Sequence, residues 1–169
     1  MNTRLGDIFS EFQIVTDLRA ANQWEAIDEL VETLAGTGKI EDGHQGAIVE
    51  AVRKREQSMS TGIGFGIGIP HASTRFISNV VAALGRSKAG INFAALDGQP
   101  VNLVMLFLVP QGQFQKHLHI VAELAKFLKN PALRQALQQA PDAAAMLHII
   151  RSPSMQGFLH QMPKPTPAS

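Results

Sequence analysis

The stretch that decides the fold is Val101-Asn102-Leu103-Val104-Met105-Leu106-Phe107-Leu108-Val109, in which Asn102 is the one polar residue. A strand that is apolar on almost every position needs cover on both faces, as a central strand between two layers of helices has. The other strands that the sequence predicts are Gln13–Leu18, Ile67–Ile69 and Val80–Gly85. A turn at Asp97-Gly98 is predicted between residues 91–96 and the central strand.

Helices are predicted between and after these strands. Asn22 can cap a first helix, which Gly36 ends, and a second helix is predicted over about residues 41–57. Helical sequence resumes near residue 115 and continues to 151, with breaks at two prolines that suit the first turns of new helices. Strands interleaved with helices, together with one doubly buried strand, predict an α/β fold built as a three-layer α/β/α sandwich.

The composition limits the kind of protein. The chain has 169 residues, with Lys+Arg 15 against Asp+Glu 14, so its net charge of +1 argues against a nucleic-acid surface. It has no cysteine, which excludes disulfides and thiolate chemistry. The longest apolar run, residues 103–110, is far shorter than the roughly 20 residues that span a bilayer, and the first residues do not resemble a signal peptide. We therefore expect a soluble, cytoplasmic protein with no membrane insertion.

Two glycine-containing motifs resemble phosphate-binding loops but do not meet their requirements. Gly36-Thr37-Gly38-Lys39 follows a predicted helix and precedes Ile40, whereas a P-loop follows a strand and has Ser or Thr after its lysine. The glycines at 62, 64, 66 and 68 do not have the spacing of a dinucleotide-binding loop. A metal centre is not favoured either, because no H-E-x-x-H motif is present and His117 and His119 point to different sides of a helix. We therefore expect no cofactor and no metal.

Two predicted helices carry a polar residue on an otherwise apolar face. At about 100° per residue, Arg55 is in line with the apolar residues of the second helix. His117 lies in the apolar stripe of the helix after residue 115, one turn before Val121. Polar side chains do not turn inward without a partner. Each residue also has a structural interpretation, with His117 as a core histidine and Arg55 as a guanidinium that reaches solvent past the helix end.

His71 favours a functional interpretation of these residues. It follows Pro70 at the end of a glycine-rich strand, and ligand sites in open α/β sheets gather at the carboxyl ends of strands. We expect its side chain to project from the edge of the sheet and to meet Arg55 and His117. Imidazole is a good nucleophile at neutral pH, and a guanidinium can bind two phosphoryl oxygens at once. The three side chains therefore predict a site that holds a phosphoryl group on His71.

The segment around His71 resembles the active-site signature of a known family. Glu56 and the later run Ile63-Gly64-Phe65-Gly66-Ile67-Gly68-Ile69-Pro70-His71-Ala72 are similar to type-2 enzyme IIA domains, the fructose/mannitol class of the bacterial phosphoenolpyruvate:sugar phosphotransferase system. The resemblance covers about residues 5–150. It continues in Arg55-Glu56, Ser60–Gly64, Phe93–Val101, Leu108–Pro110 and His117–His119. One departure is Gly68, where the family usually has alanine, and we expect the glycine to loosen the strand.

The resemblance implies a fold, a set of site residues and partners. The fold is a mixed central sheet flanked by helices on both faces, here in a domain over 1–151. The resemblance does not cover residues 152–169, whose prolines and low apolar content predict a flexible, Pro-rich tail. His71 is implied to accept phosphate from the histidine-containing phosphocarrier protein, with His117 and Arg55 in the same pocket. The phosphate then passes to an enzyme IIB domain or stays as a regulatory signal. The Ser60–Gly64 segment is more similar to the nitrogen-regulatory subgroup.

Two other functions remain open at this stage. One is a regulatory binding module of the same fold that is not phosphorylated and acts by protein–protein contact. The other is a metal hydrolase, which would require bound metal. Whether the output is sugar transport or regulation, and which sugar is involved, depends on a partner surface that the sequence does not identify.

Overall fold

The computed structural model describes residues 8–113, 115, 118, 122, 124 and 128–151. The helices with assigned bounds are α1 (Gln23–Gly36), α2 (Gln45–Ser58), α3 (Pro131–Gln139) and α4 (Ala143–Ile150). The strands are β1 (Ile14–Val15), β2 (Gly62–Gly64), β3 (Ile67–Gly68), β4 (His71–Thr74), β5 (Val81–Ile91) and β6 (Val101–Pro110). The predicted tail over 152–169 lies outside the described residues.

The six strands form one mixed sheet in the order β1-β5-β6-β3-β2, with β4 also paired to β6. β5 and β6 form a long antiparallel pair, and β3 and β4 run parallel to β6. β1 is parallel to β5, and β2 is antiparallel to β3. The stretch that the sequence places at the centre of the sheet is therefore the central strand, and the prediction of a mixed sheet is confirmed.

β6 is buried on both faces because two separate apolar cores lie against it. Leu103, Met105, Phe107 and Val109 face a core that includes residues of α3 and α4. Val104, Leu106 and Leu108 face a second core that includes residues of α1 and α2. Alternate residues of a strand point to opposite faces, so the two cores follow directly from the sequence of β6. The three-layer α/β/α prediction is confirmed.

The first helix follows its prediction closely. Asn22 caps α1, since its side chain accepts a hydrogen bond from the backbone of Glu25 at 2.9 Å. The helix buries a stripe of apolar residues spaced three and four positions apart: Ala26, Ile27, Leu30, Val31 and Leu34. None of the helices among the described residues has the length and apolar character needed to cross a membrane.

Several element bounds differ from prediction. α2 begins at Gln45 rather than near residue 41, because Gly43 has a φ of +93°, which a right-handed helix cannot include. β1 contains two residues instead of six. β5 extends beyond the predicted Gly85 to Ile91, across an irregular register. The predicted turn is present, with Gly98 N–H donating to the carbonyl of Ala95 at 3.0 Å.

Arg86 is a structural arginine that the sequence does not predict, because β5 was expected to end at Gly85. It is only 3% exposed, and its guanidinium donates to the carbonyls of Thr16, Leu137 and Ala140 at 2.7–2.9 Å. Leu137 and Ala140 lie at the carboxyl end of α3, where a positive charge also interacts favourably with the helix dipole. Arg86 therefore joins the sheet to the helical layer beside it.

Candidate functional site

His71 is the first residue of β4 and pairs in parallel register with Phe107 of β6. Paired residues share a face of the sheet, so the imidazole lies on the face that Phe107 presents to the α3–α4 core. Pro70 has no N–H to donate and separates β3 from β4. His71 is 8% exposed. His71 thus follows the end of β3, as the sequence predicts, and it also begins β4, which among the described strands pairs only with β6. The projection of its side chain from the edge of the sheet stays a prediction.

A hydrogen bond to the backbone indicates which nitrogen of the His71 ring carries the proton. Nδ1 lies 2.8 Å from the carbonyl oxygen of Ile69. A carbonyl oxygen only accepts hydrogen bonds, so Nδ1 carries the proton and donates it. In the neutral ring the lone pair is then on Nε2. The geometry therefore distinguishes the two ring nitrogens, with the lone pair of the neutral ring on Nε2.

The surroundings of His71 lower its pKa below the ordinary value of 6.5. Burial is the main cause, since it disfavours the charged imidazolium. The hydrogen bond to Ile69 opposes this effect, and the positive charge of Arg55 adds to it. The ring is consequently neutral at neutral pH, which is the form that acts as a nucleophile.

Arg55 lies in the last turn of α2 and is half-buried. Its Nη1 donates to the carbonyl of Met59 at 3.2 Å, past the end of the helix. Within the described residues, Nε and Nη2 donate to no acceptor. These two nitrogens form a parallel pair of donors of the kind that binds two oxygens of a phosphoryl group. The positive charge of Arg55 contributes to the lowered pKa of His71, so it acts on the ring electrostatically.

Glu56 is the buried polar residue of α2, and the sequence does not predict it as a site residue. It continues the buried stripe of Ile48 and Val52 at a spacing of four residues, whereas Arg55 lies at the edge of that stripe. Its carboxylate accepts hydrogen bonds from Thr61, from the backbone N–H at 2.9 Å and from the hydroxyl at 2.7 Å. The four-residue spacing was visible in the sequence and could have identified it.

Gly68 is closely packed rather than loose. A Cβ placed on Gly68 would lie 2.8 Å from the ring of Phe93, and one placed on Gly62 would lie 2.7 Å from the backbone of Ala95. Ser60 also donates its hydroxyl proton to the carbonyl of Phe93 at 2.8 Å. The expectation that glycine at 68 loosens the strand is therefore wrong, because the Phe93 ring occupies the space that an alanine methyl would need.

The third predicted site residue, His117, lies outside the described residues, and its place in the site remains a prediction. In the same segment, the backbone is helical at residues 115, 118, 122, 124 and 128, and Leu124 and Leu128 are buried in the α3–α4 core. Among the described residues, no group of three or more histidine, aspartate or glutamate side chains is arranged to hold a metal ion.

Comparison with solved structures gives the class of protein that this fold represents. The crystal structure of the nitrogen regulatory protein IIA-Ntr from Neisseria meningitidis superposes with a TM-score of 0.78 at 26% sequence identity. The match covers 86% of this chain and 98% of that one. In its fold, the protein is thus similar to the IIA proteins of the phosphotransferase system.

Sequence comparison identifies the family. Residues 7–152 match the family model described as the phosphoenolpyruvate-dependent sugar phosphotransferase system, EIIA 2, and the chain belongs to this family. It is 35% identical over 147 residues to the fructose-specific EIIABC component of Bacillus subtilis, covering 87% of this chain but 23% of that protein. It is 28% identical over 147 residues to a nitrogen regulatory protein of Bradyrhizobium diazoefficiens, covering 87% of this chain and 94% of that one. The resemblance carried by the His71 motif is confirmed at the level of the family.

Proposed function

We propose that this protein is a phosphohistidine carrier that accepts a phosphoryl group on Nε2 of His71 from the histidine-containing phosphocarrier protein. The group then passes to an enzyme IIB domain or is retained as a regulatory signal, and we place these reactions in the cytoplasm. The observation that carries the proposal is the state of the His71 ring. It is neutral, its proton is held on Nδ1 by Ile69, and a cation lies nearby.

The transfer is a substitution at phosphorus. The Nε2 lone pair of His71 attacks the phosphorus of the donor's phosphohistidine as the bond between that phosphorus and the donor nitrogen breaks. The bonding electron pair returns to the donor imidazole, and the Nδ1 proton of His71 stays on its hydrogen bond to Ile69 throughout. Phosphoryl transfer needs mainly alignment and stabilisation of the charge on the phosphoryl oxygens. The same step in reverse delivers the group to an acceptor.

Arg55 and His117 are proposed to hold the transferred group. The Nε and Nη2 donors of Arg55 suit two phosphoryl oxygens, and each charge-assisted hydrogen bond of this kind is worth about 1.5–3 kcal/mol. His117 is proposed to donate one further hydrogen bond, on the basis of its position in the sequence motif. This strength stabilises a phosphohistidine while still allowing its release, which is what a carrier needs.

Among the two outputs, we favour regulation of the nitrogen-regulatory type over sugar transport. Two nitrogen regulatory proteins support this choice, one similar in structure and one similar in sequence over nearly its whole length. Similarity to a fructose-specific component supports the alternative. Transfer assays separate the two, since a transport protein passes its phosphoryl group rapidly to an enzyme IIB of the fructose class and a regulatory protein does not.

The proposal is tested by incubating the full chain with phosphoenolpyruvate, enzyme I and the phosphocarrier protein. We expect an acid-labile phosphoprotein whose 31P NMR shift identifies phosphate on Nε2. His71→Ala should take up no phosphate, whereas the matched control His148→Ala, at an exposed position on α4, should be labelled like the wild type. Labelling that persists in His71→Ala would contradict the assignment. A wild type that stays unlabelled but binds its partners as tightly as His71→Ala would instead identify the non-phosphorylated binding module.

A further inference from the structure

We propose that Glu56 is a positioning residue for His71, because it anchors the chain of hydrogen bonds that holds the ring proton on Nδ1. This inference rests on the phosphoryl-acceptor function proposed above. Glu56 does not touch the imidazole, and it acts through Thr61 and Ile69.

The first link of the chain joins the end of α2 to the segment that leads into β2. Glu56 is 2% exposed, and both of its carboxylate oxygens accept hydrogen bonds from Thr61, one from the N–H and one from the hydroxyl. A buried carboxylate is strongly destabilising unless it is hydrogen-bonded. Thr61 supplies two donors to it, and this pair of bonds fixes Thr61 relative to the helix.

The second link joins Thr61 to the residue that binds the imidazole. The carbonyl of Thr61 accepts a hydrogen bond from the N–H of Ile69 at 3.1 Å, and the carbonyl of Ile69 accepts from Nδ1 of His71 at 2.8 Å. Between these two bonds the backbone has little rotational freedom. Pro70 restricts the conformation of Ile69 before it and fixes its own φ. A displacement of Thr61 is therefore transmitted to the carbonyl that holds the ring.

The chemical consequence concerns the tautomer of the ring. With the Ile69 carbonyl in place, the neutral ring has its proton on Nδ1 and its lone pair on Nε2. If that carbonyl moves, the ring also populates the tautomer with the proton on Nε2, which has no lone pair there to attack phosphorus. Loss of the Glu56 anchor therefore lowers the fraction of His71 that is competent to react, and it leaves the imidazole itself intact.

The test compares four variants of the full chain. Glu56→Ala removes the anchor, and Thr61→Val removes only the hydroxyl donor while keeping the side-chain shape and the backbone N–H. Glu56→Gln is the conservative variant, because its amide oxygen can still accept from the Thr61 N–H and its amide nitrogen can donate to the hydroxyl. Glu50→Gln, at an exposed position on the same helix, is the matched control.

Two readouts are measured on each variant: the 15N shifts of the His71 ring by NMR and the rate of phosphoryl uptake. For Glu56→Ala we expect ring shifts that indicate a mixture of tautomers, and uptake slower by about ten- to a hundredfold, as for a misplaced reacting group. Thr61→Val should change the ring shifts and the uptake rate in the same direction as Glu56→Ala, but by a smaller amount. Glu56→Gln and Glu50→Gln should stay near the wild type.

Wild-type ring shifts in Thr61→Val and in a folded Glu56→Ala would overturn the inference. If Glu56→Ala does not fold, Thr61→Val decides alone, since it removes one hydrogen bond from a native-like side chain. A wild type that takes up no phosphate would refute the proposed function. The ring shifts would still test the positioning role, because they are measured without phosphate.

Discussion

Two regions of the molecule place an arginine at the carboxyl end of a helix, and they use it in opposite ways. At the end of α3, Arg86 is 3% exposed and donates through Nε and Nη1 to several backbone carbonyls. At the end of α2, Arg55 is half-buried, uses Nη1 alone for hydrogen bonds among the described residues, and acts electrostatically on His71. An arginine whose donors are saturated by backbone holds the fold together. An arginine beside a histidine that keeps two N–H donors without backbone acceptors is suited to bind an anion.

The largest expected effect is on stability, from Arg86→Met. This change leaves buried carbonyls at the end of α3 without donors and should lower the free energy of unfolding by about 3 kcal/mol or more. Urea unfolding monitored by circular dichroism measures it. Arg75→Met, at an exposed position, is the control and should cost less than about 1 kcal/mol. Equal effects of the two substitutions would show that Arg86 does not join the layers.

The second prediction concerns transfer, from Arg55→Gln. Losing charge-assisted bonds to the phosphoryl group should slow its uptake by about ten- to a hundredfold. The free energy of unfolding should change by less than about 1 kcal/mol, because the side chain is half-exposed. Rapid-quench phosphorylation and urea unfolding measure the two quantities.

Arg53 provides the control on the same helix. It makes a two-point ion pair with Asp28 of α1, with Nε and Oδ1 3.1 Å apart. Both side chains are partly exposed, so Arg53→Gln should cost less than about 1 kcal/mol in stability and should leave the rate of transfer unchanged. If Arg53→Gln slows phosphoryl transfer as much as Arg55→Gln does, the two arginines do not differ in their role in transfer.

The smallest expected effect is in the pH dependence of stability. The folded pKa of His71 lies below 6.5. Between that pKa and 6.5 the unfolded chain therefore binds more protons, and stability falls as pH decreases. Relative to His71→Gln, the wild type should lose stability from pH 7.5 to pH 5.5, by at most about 1.4 kcal/mol per pH unit. Urea unfolding at a series of pH values measures this difference.

Arg55→Gln sharpens the pH experiment. Its charge contributes to lowering the pKa of His71, so removing it should raise that pKa and narrow the pH range over which stability declines. Two results would contradict the assignment of a neutral, buried ring. One is a stability of the wild type relative to His71→Gln that does not depend on pH, and the other is a wild type that gains stability relative to His71→Gln as pH decreases.

The parts of the fold that the sequence predicts are those encoded locally. β6 carries its double burial in nearly every residue, and α1 carries a cap and a regular apolar stripe. β4 was not predicted, because its existence depends on pairing with β6, which lies more than 30 residues later in the chain. The same separation explains why the sequence places His71 after the end of β3 without indicating that it also begins β4.

The sequence predicts those site residues whose side-chain type suits phosphoryl transfer. Imidazole and guanidinium suit phosphoryl transfer, which is why the sequence singles out His71 and Arg55, and the charge of Arg55 contributes to the lowered pKa of His71. The sequence does not predict Glu56 as a site residue, because a glutamate on a helix is usually solvated and its partner Thr61 lies beyond the end of that helix. The sequence does not predict the structural role of Arg86 either, because the carbonyls that accept its hydrogen bonds, in and after α3, lie more than 50 residues later in the chain.

The contact between Gly68 and Phe93 has a consequence for engineering. Replacing an unusual residue with the one most common among relatives is a standard route to a more thermostable variant, and a helpful loss of unfolded-chain entropy is expected when glycine becomes alanine. At position 68 that choice introduces a methyl group where the aromatic ring already lies. An alanine at position 68 therefore requires the Phe93 ring to shift or a smaller side chain at position 93.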